Sequence, residues 1–469
     1  MNWAQVNWMA LLPELLILGF AIIVLLGELF LSSSSRRSLG LVSLAGIIAS
    51  LAAVINLWGV KTTLFNGMFS VDLTANVLKM ILLVTTALVV LGVIKVKVNM
   101  GEGEFFSLML FSVMGTMFMA SATDLIMLFI ALELTVIPAY VLTASRKNAR
   151  SAEAALKYFL LGVVASVILL YGMTLLFGLT GQTNFAAMAA KLATHQVEPL
   201  LVVAMLMVIV GLGFKIAAVP FHFWAPDVYE GSPVPVASYL AAGPKAGGFA
   251  AIIHFFPVAL ASVTSAWAAV FAVLAVLSMS LGNLAALAQG QVRRLLGYSA
   301  VAHTGYLLVG LAVATQSGYS SLIFYFFVYS LAALGAFLVI LATTEWGIGE
   351  HVTDFAGLSK KAPILAMAMA VFLFSLVGLP PFAGFMGKLF LFSAAVKSNL
   401  IWLAVVGVLN SAISFGYYVT VIRQMYLVHP ENDEAVTVSK PLYASILLIM
   451  AAIVVLGVYP TAFLSIIKL

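Results

Sequence analysis

LLVVAMLMVIVGLGFKIAAVPFHFWAPD, residues 200–227, is the stretch that decides how this chain folds. Its first half carries no charge and reads as the body of a membrane span, which needs about 20 apolar residues. Lys215, Pro220, His222, Pro226 and Asp227 then follow in quick succession. Proline lacks a backbone donor and clashes with the preceding turn, so the helix breaks near Pro220. Interrupted backbone at membrane depth is tolerated only when buried in protein or lining a wet cavity. The segment therefore predicts a helical bundle with a polar interior.

The rest of the sequence agrees. Of 469 residues, 64% are hydrophobic and 8% charged, with a mean hydropathy of +1.16. Soluble domains carry about 25% charged residues. The apolar runs are continuous, which argues against an alternating transmembrane barrel. There is no cysteine, so disulfides, thiolate metal sites, iron–sulfur ligation and thiol catalysis are excluded. No HExxH, close histidine pair, P-loop or dinucleotide fingerprint is present, so no metal or cofactor is expected on this chain. The net charge of +5 comes from residues scattered through short connections and does not indicate nucleic acid. The first span is expected to be retained, because no basic segment or small-residue cleavage site surrounds it.

Hydropathy and breakers predict an all-α polytopic membrane protein with about 14 transmembrane helices. The spans lie near 10–31, 39–60, 73–94, 105–121, 124–144, 156–180, 199–224, 234–256, 262–288, 295–315, 319–343, 362–395, 399–426 and 441–466. The longest polar connections, near 345–361 and 428–440, are too short for a second folded domain. A second break is expected in helix 12, at LVGLPPFAGFMGKLF, where Pro380 and Pro381 sit among Gly378, Gly384 and Gly387. Helices 7 and 12 are five spans apart and run in opposite directions. Paired interrupted helices are the layout of inverted-repeat transporters. The expected organisation is one membrane domain over 1–469: helices 1–3 in 1–100, a first five-helix repeat in 101–257, a second in 258–427, and helix 14 in 428–469.

Lysine and arginine fix the expected orientation. Thirteen occupy odd-numbered connections, from Arg36 and Arg37 to Arg423 and Lys440, against Lys61, Lys191 and Lys397 in even ones. The odd connections should face the cytoplasm, with both termini on the outer side.

Some charges cannot reach water by snorkelling. Glu133 lies nine residues inside a span, about 14 Å deep at 1.5 Å per residue. Lys215 lies about fifteen residues into the seventh span, Lys245 midway along the eighth, and Lys388 just after the break in the twelfth. An ionised group there costs several kcal/mol unless paired or hydrated. Burial disfavours the charged form and an opposite charge restores it, so an approaching and separating Glu/Lys pair is a proton site governed by geometry. A plain structural ion pair is the rival reading; three deep lysines facing one acid weigh against it. His222 and His303 suit proton transfer, and equally suit hydrogen-bonded helix packing. Lys157, near a span end, is expected to snorkel. Asp227 and Glu230 are expected in a solvated loop, Lys79 at an interface or against lipid, and Glu14 and Glu28 in reach of water.

FKIAAVPFHFWAPDVYEGSPVPVASYLAAGPKAGGFAA, residues 214–251, closely resembles the central signature of subunit N of proton-pumping NADH–quinone oxidoreductase, respiratory complex I. LELTVIPAYVL, SAEAALKYFLLG, RRLLGYSAVAHTGYLLVG and SLVGLPPFAGFMGKLFLF match the same antiporter-like family in order and spacing. The resemblance spans essentially the whole chain. It implies fourteen helices, two inverted five-helix repeats and discontinuous helices 7 and 12. It makes Glu133 and Lys215 a charge-coupled pair, Lys245 the connecting lysine and Lys388 the outlet-side lysine; Lys157, His222 and His303 are the supporting candidates from the residues themselves. Lysine at position 388 fits subunit N better than subunit M, and the end at residue 469 argues against subunit L. The halves are not chemically equivalent: Lys215 precedes its break, Lys388 follows its own, and no second acid matches Glu133. The resemblance also implies a bacterial-type inner membrane and partner subunits that carry FMN, iron–sulfur clusters and the quinone site. A multi-subunit cation/proton antiporter, a membrane-bound hydrogenase subunit and a scaffold held by buried charges are the competing readings.

Overall fold

A computed structural model describes residues 7–32, 35–193, 198–429 and 437–466; part of the connection expected near 428–440 lies outside them. Without water to bond, backbone amides in hydrocarbon must be satisfied within helices, and helices dominate. In chain order they are α1 (Leu12–Phe30), α2 (Ser38–Asn56), α3 (Leu73–Val93), α4 (Glu102–Ser121), α5 (Leu125–Ala144) and α6 (Ala149–Thr180). A short helix, α7 (Phe185–Leu192), precedes α8 (Pro199–Lys215), α9 (Trp224–Gly231) and α10 (Val234–Ala259). The remainder are α11 (Thr264–Leu287), α12 (Val292–Ala312), α13 (Gln316–Glu345), α14 (Leu358–Lys361), α15 (Pro363–Val377), α16 (Ala383–Lys397), α17 (Ile401–Leu427), α18 (Lys440–Val458) and α19 (Thr461–Leu464). A small antiparallel hairpin, β1 (Thr62–Leu64) and β2 (Phe69–Val71), links α2 to α3; neither it nor α7 is foreshadowed by hydropathy.

Among the described residues, twelve helices are long and apolar enough to cross a membrane. Two shorter apolar helices, α8 and α15, end at the two breaks. The apolar body of α10 is 100% buried and those of α12 and α13 94%, against 33% for α6, α17 and α18. Helices α10, α12 and α13 are thus the interior of the protein, while α6, α17 and α18 show most of their apolar surface to what surrounds it.

The first break opens earlier than Pro220 suggests, because α8 stops at Lys215 and Ala217 takes φ +59°. A helical residue 220 would donate to the Ile216 carbonyl, and proline cannot. That carbonyl instead accepts the Thr304 hydroxyl at 2.6 Å. Trp224 Nε1 donates to the Phe214 carbonyl at 3.0 Å and the Val219 amide to Ser278 Oγ at 2.9 Å. The second break follows the same logic. Gly378 ends α15 at φ +90°, and the Val377 carbonyl, four residues before Pro381, accepts Lys388 Nζ at 2.8 Å. In α10, Pro244 leaves the Leu240 carbonyl to Tyr229 Oη, 3.3 Å away. In each case a side chain from another helix takes the bond that proline gives up, so the interruptions are built into the packing.

Three expectations fail here. Glu14 does not reach water: it is 1% exposed and pairs at 2.7 Å with Lys79, itself fully buried. Lys79 is therefore inside the bundle, neither at lipid nor at an interface. Glu28 is also buried, bonding Arg36 at 2.6 Å and the Gly103 amide at 2.7 Å. In apolar surroundings a carboxylate gains more from a protein partner than from a strained route to solvent.

Candidate functional site

The three deep lysines lie on or beside the most buried helices, and each has a different environment. Lys215 ends α8 and is 3% exposed; its ammonium has no hydrogen-bond partner among the described residues. Glu133 on α5 accepts the Ser166 hydroxyl of α6 at 2.6 Å and makes no ion pair with Lys215 within 4.0 Å. It still acts on Lys215 electrostatically. A cavity of about 10 Å³ lies against Lys215, Ser166 and Tyr140, the size of about one water. Ser166 thus bonds Glu133 on α5 and lines the cavity that also touches Lys215. Because Lys215 closes α8, the helix's negative end also supports its charge.

Lys245 on α10 donates to the Ala300 carbonyl at 3.1 Å and approaches Thr304 Oγ1 at 3.4 Å, 5.6 Å from the Tyr329 ring centre. Thr304 is the residue whose hydroxyl holds Ile216, next to Lys215. One hydroxyl therefore touches both the first break and the central lysine. Lys388 on α16 donates to the Val377 carbonyl and, at 3.1 Å, to Ser411 Oγ, with the Tyr306 ring 4.2 Å away. It caps α15 as well as carrying a charge. His303 lies within electrostatic reach of both Lys245 and Lys388. Its ring nitrogens bond Tyr325 Oη at 2.8 Å and Tyr418 Oη at 3.2 Å, and Tyr418 bonds Ser299 in turn. The ring stacks on Tyr329, centroids 4.9 Å apart.

Sequence reasoning missed Ser166, Thr304, Tyr306, Tyr325, Tyr329, Ser411 and Tyr418. A signal for part of the set exists. Ser299, His303 and Tyr306 are at i, i+4 and i+7, one polar stripe on an apolar helix. Tyr325 and Tyr329 repeat that spacing on α13.

Two candidates fall outside this group. His222 is buried and stacks on Phe223, two residues after Pro220 in the first break. Lys157 is 46% exposed and pairs with Glu153 at 2.7 Å and Asp227 at 2.9 Å. Asp227 and Glu230 are not in a solvated loop: they lie on α9, one turn apart, and are gripped from two sides. Arg294 on α12 reaches Asp227 at 2.6 Å and Glu230 at 2.7 Å, and Arg150 on α6 also pairs with Glu230. This network ties the segment after the first break to α6 and α12.

Burial alone raises both carboxyls. Hydrogen bonds from Lys157 and Arg294 to Asp227, and from Arg294 and Arg150 to Glu230, outweigh it and hold both below the ordinary range. Groups depressed by folding stabilise fully above their unfolded pKa, about 4, and lose that contribution as pH falls through the lower folded values. The melting temperature of the purified protein should therefore be insensitive to these residues between pH 7 and 5 and fall below about pH 4. Asp227→Asn should flatten the acid limb; an unchanged acid limb in that variant means the clamp contributes nothing.

Comparison with known proteins identifies the lineage. The family described as NADH:quinone oxidoreductase/Mrp antiporter, TM matches residues 122–414, which include Glu133, Lys215, Lys245, His303 and Lys388. The chain belongs to that family. NADH-quinone oxidoreductase subunit N of Trichlorobacter lovleyi is 40% identical over 98% of this chain and 96% of its own length. F(420)H(2) dehydrogenase subunit N of Methanosarcina mazei is 37% identical over 97% of each chain. A chain of respiratory complex I from Thermus thermophilus superposes with a TM-score of 0.84 at 32% identity, covering 97% of this chain and 98% of that one. The protein is a multi-pass, antiporter-like helical membrane protein.

Proposed function

We propose that this chain is the proton-translocating subunit N of a quinone-reducing respiratory complex, moving protons outward without redox chemistry of its own. Relatives named for complexes with different donors, NADH and F(420)H(2), support a role downstream of the donor. FMN, iron–sulfur clusters and the quinone site then belong to partner subunits. The helix order of α4 to α10 recurs in α11 to α17, each with one break, which supports two inverted five-helix repeats. The lysine and arginine bias supports a cytoplasmic face at the basic connections and termini on the outer side.

One observation carries the relay: Thr304 joins the break beside Lys215 to Lys245. In this reading, charge or conformational changes in a neighbouring subunit close and open the Glu133–Lys215 couple. Two unit charges at 4 Å interact by about 4 kcal/mol at an effective dielectric of 20, enough to change a lysine's proton affinity by two to three orders of magnitude, roughly, at 1.36 kcal/mol per tenfold. Opening releases the Lys215 proton towards Lys245, and His303 with its tyrosines lies on the way to Lys388. The test is proton translocation per quinone reduced in sealed vesicles holding the assembled complex. Lys245→Met should lower that ratio without lowering the amount of complex. An unchanged ratio rejects the relay.

A further inference from the structure

A second buried charged cluster lies outside this path, in helices α1, α3 and α10, and nothing in the relay uses it. Glu14 and Lys79 pair at 2.7 Å with side chains 1% and 0% exposed. The ammonium also sits 4.8 Å from the ring centre of Phe69 on β2. Asp72 is the N-cap of α3, and Asn76 and Lys79 follow it by four and seven residues on that helix, one turn apart, so the three span about 10 Å. Asp72 is the end open to water, its side chain 34% exposed. It is held by the Ala75 amide at 2.9 Å and Ser70 Oγ at 2.7 Å. His254 of α10 faces it, Nε2 3.8 Å from the carboxylate, a distance that a direct hydrogen bond does not span and one water does.

The polar atoms between mouth and pair are under-used. Asn76 is 1% exposed and its Oδ1 has no hydrogen-bond partner among the described residues; neither ring nitrogen of His254 has one. Buried polar atoms are nearly always bonded to protein or ordered water. Asp72, Lys79 and His254 act on one another electrostatically, while Lys61, before β1, and Lys191, on α7, are exposed. The start of α1, the start of α3 and the end of α10 all lie on the side opposite the basic connections.

We infer that Asp72, His254, Asn76 and the Glu14–Lys79 pair form a proton-exchange site open to the face opposite the basic connections. The inference rests on reading the chain as a proton-translocating subunit. A proton arriving from Asp72 neutralises Glu14 and leaves Lys79 against Phe69; its departure restores the ion pair. No covalent bond changes beyond the O–H and N–H bonds of these groups.

A purely structural clamp between α1 and α3 makes a different prediction. Removing one member of a buried pair strands the other charge, so Glu14→Gln and Lys79→Met alone should reduce assembly on either reading. The double variant Glu14→Gln with Lys79→Met removes both charges and should assemble. In sealed vesicles its proton yield per quinone reduced is expected to fall as far as that of Lys215→Met, with quinone reduction retained. A wild-type yield in the double variant, while Lys215→Met is impaired, overturns the exchange site and leaves a clamp. Impairment in the double variant with normal Lys215→Met sinks the relay and keeps the exchange site. If the double variant does not assemble, Asn76→Leu decides, since it conserves volume and adds no charge: a lowered yield supports the site and an unchanged one overturns it.

Discussion

Complexes carrying Lys215→Met should assemble in normal amounts and reduce quinone, yet lose the whole share of proton translocation carried by this chain. Lys215 is 3% exposed and its ammonium lacks a hydrogen-bond partner among the described residues. An uncompensated buried charge costs several kcal/mol, so methionine, with nearly the same length and no charge, leaves folding unharmed or improved. Its melting temperature should be no lower than wild type. Lys215→Arg is the sharper variant. Arginine keeps the positive charge but does not deprotonate in proteins, so it should pump as poorly as methionine. A structural ion pair with Glu133 requires the opposite pattern, arginine functional and methionine unstable. Proton yield and melting temperature measured on the same three preparations separate the two accounts.

The second large effect is expected at Gly384. A Cβ there would lie 1.7 Å from the Ser375 carbonyl oxygen and 2.6 Å from its carbon. Both are backbone atoms, which cannot turn aside as a side chain does. Gly384→Ala must therefore push α16 off the end of α15. The Gly384 amide then loses Ser375 Oγ at 3.1 Å, and Lys388 loses the Val377 carbonyl. Overpacking typically costs 1–3 kcal/mol, and with backbone on both sides the loss here should reach about 3 kcal/mol or more. Thermal melting of the solubilised chain should show it directly, with little complex assembled. Gly178→Ala is the matched control, because nothing lies within 4 Å of a Cβ at that position. Equal melting temperatures for the two variants would falsify the claim that the second break depends on this close approach.

Much of the architecture is readable without coordinates. Hydrocarbon admits few backbone solutions, so apolar length locates helices and proline locates their interruption. The expected spans near 73–94 and 124–144 differ from α3 and α5 by about a residue. Proline even marks which carbonyl needs a partner, since the orphan sits four residues back at Ile216, Val377 and Leu240. The depth of Glu133, Lys215, Lys245 and Lys388 follows from counting residues into a span.

What counting cannot supply is the partner. Glu14 and Lys79 are 65 residues apart, and each alone looks like a charge that finds water; packing α1 against α3 turns them into a buried pair. Asp227 and Glu230 look like loop residues until α6 and α12 bring Arg150 and Arg294 to them. Thr304 is an unremarked hydroxyl in sequence, and its place between Ile216 and Lys245 comes from three helices meeting. Local rules act over one helical turn, whereas the energy of a buried charge depends on groups within a few ångströms in space. The sequence by itself determined the membrane class, the two breaks and the identity of the deep charges. Tertiary structure alone decided which of those charges are paired, which are left open, and which neutral side chains connect them.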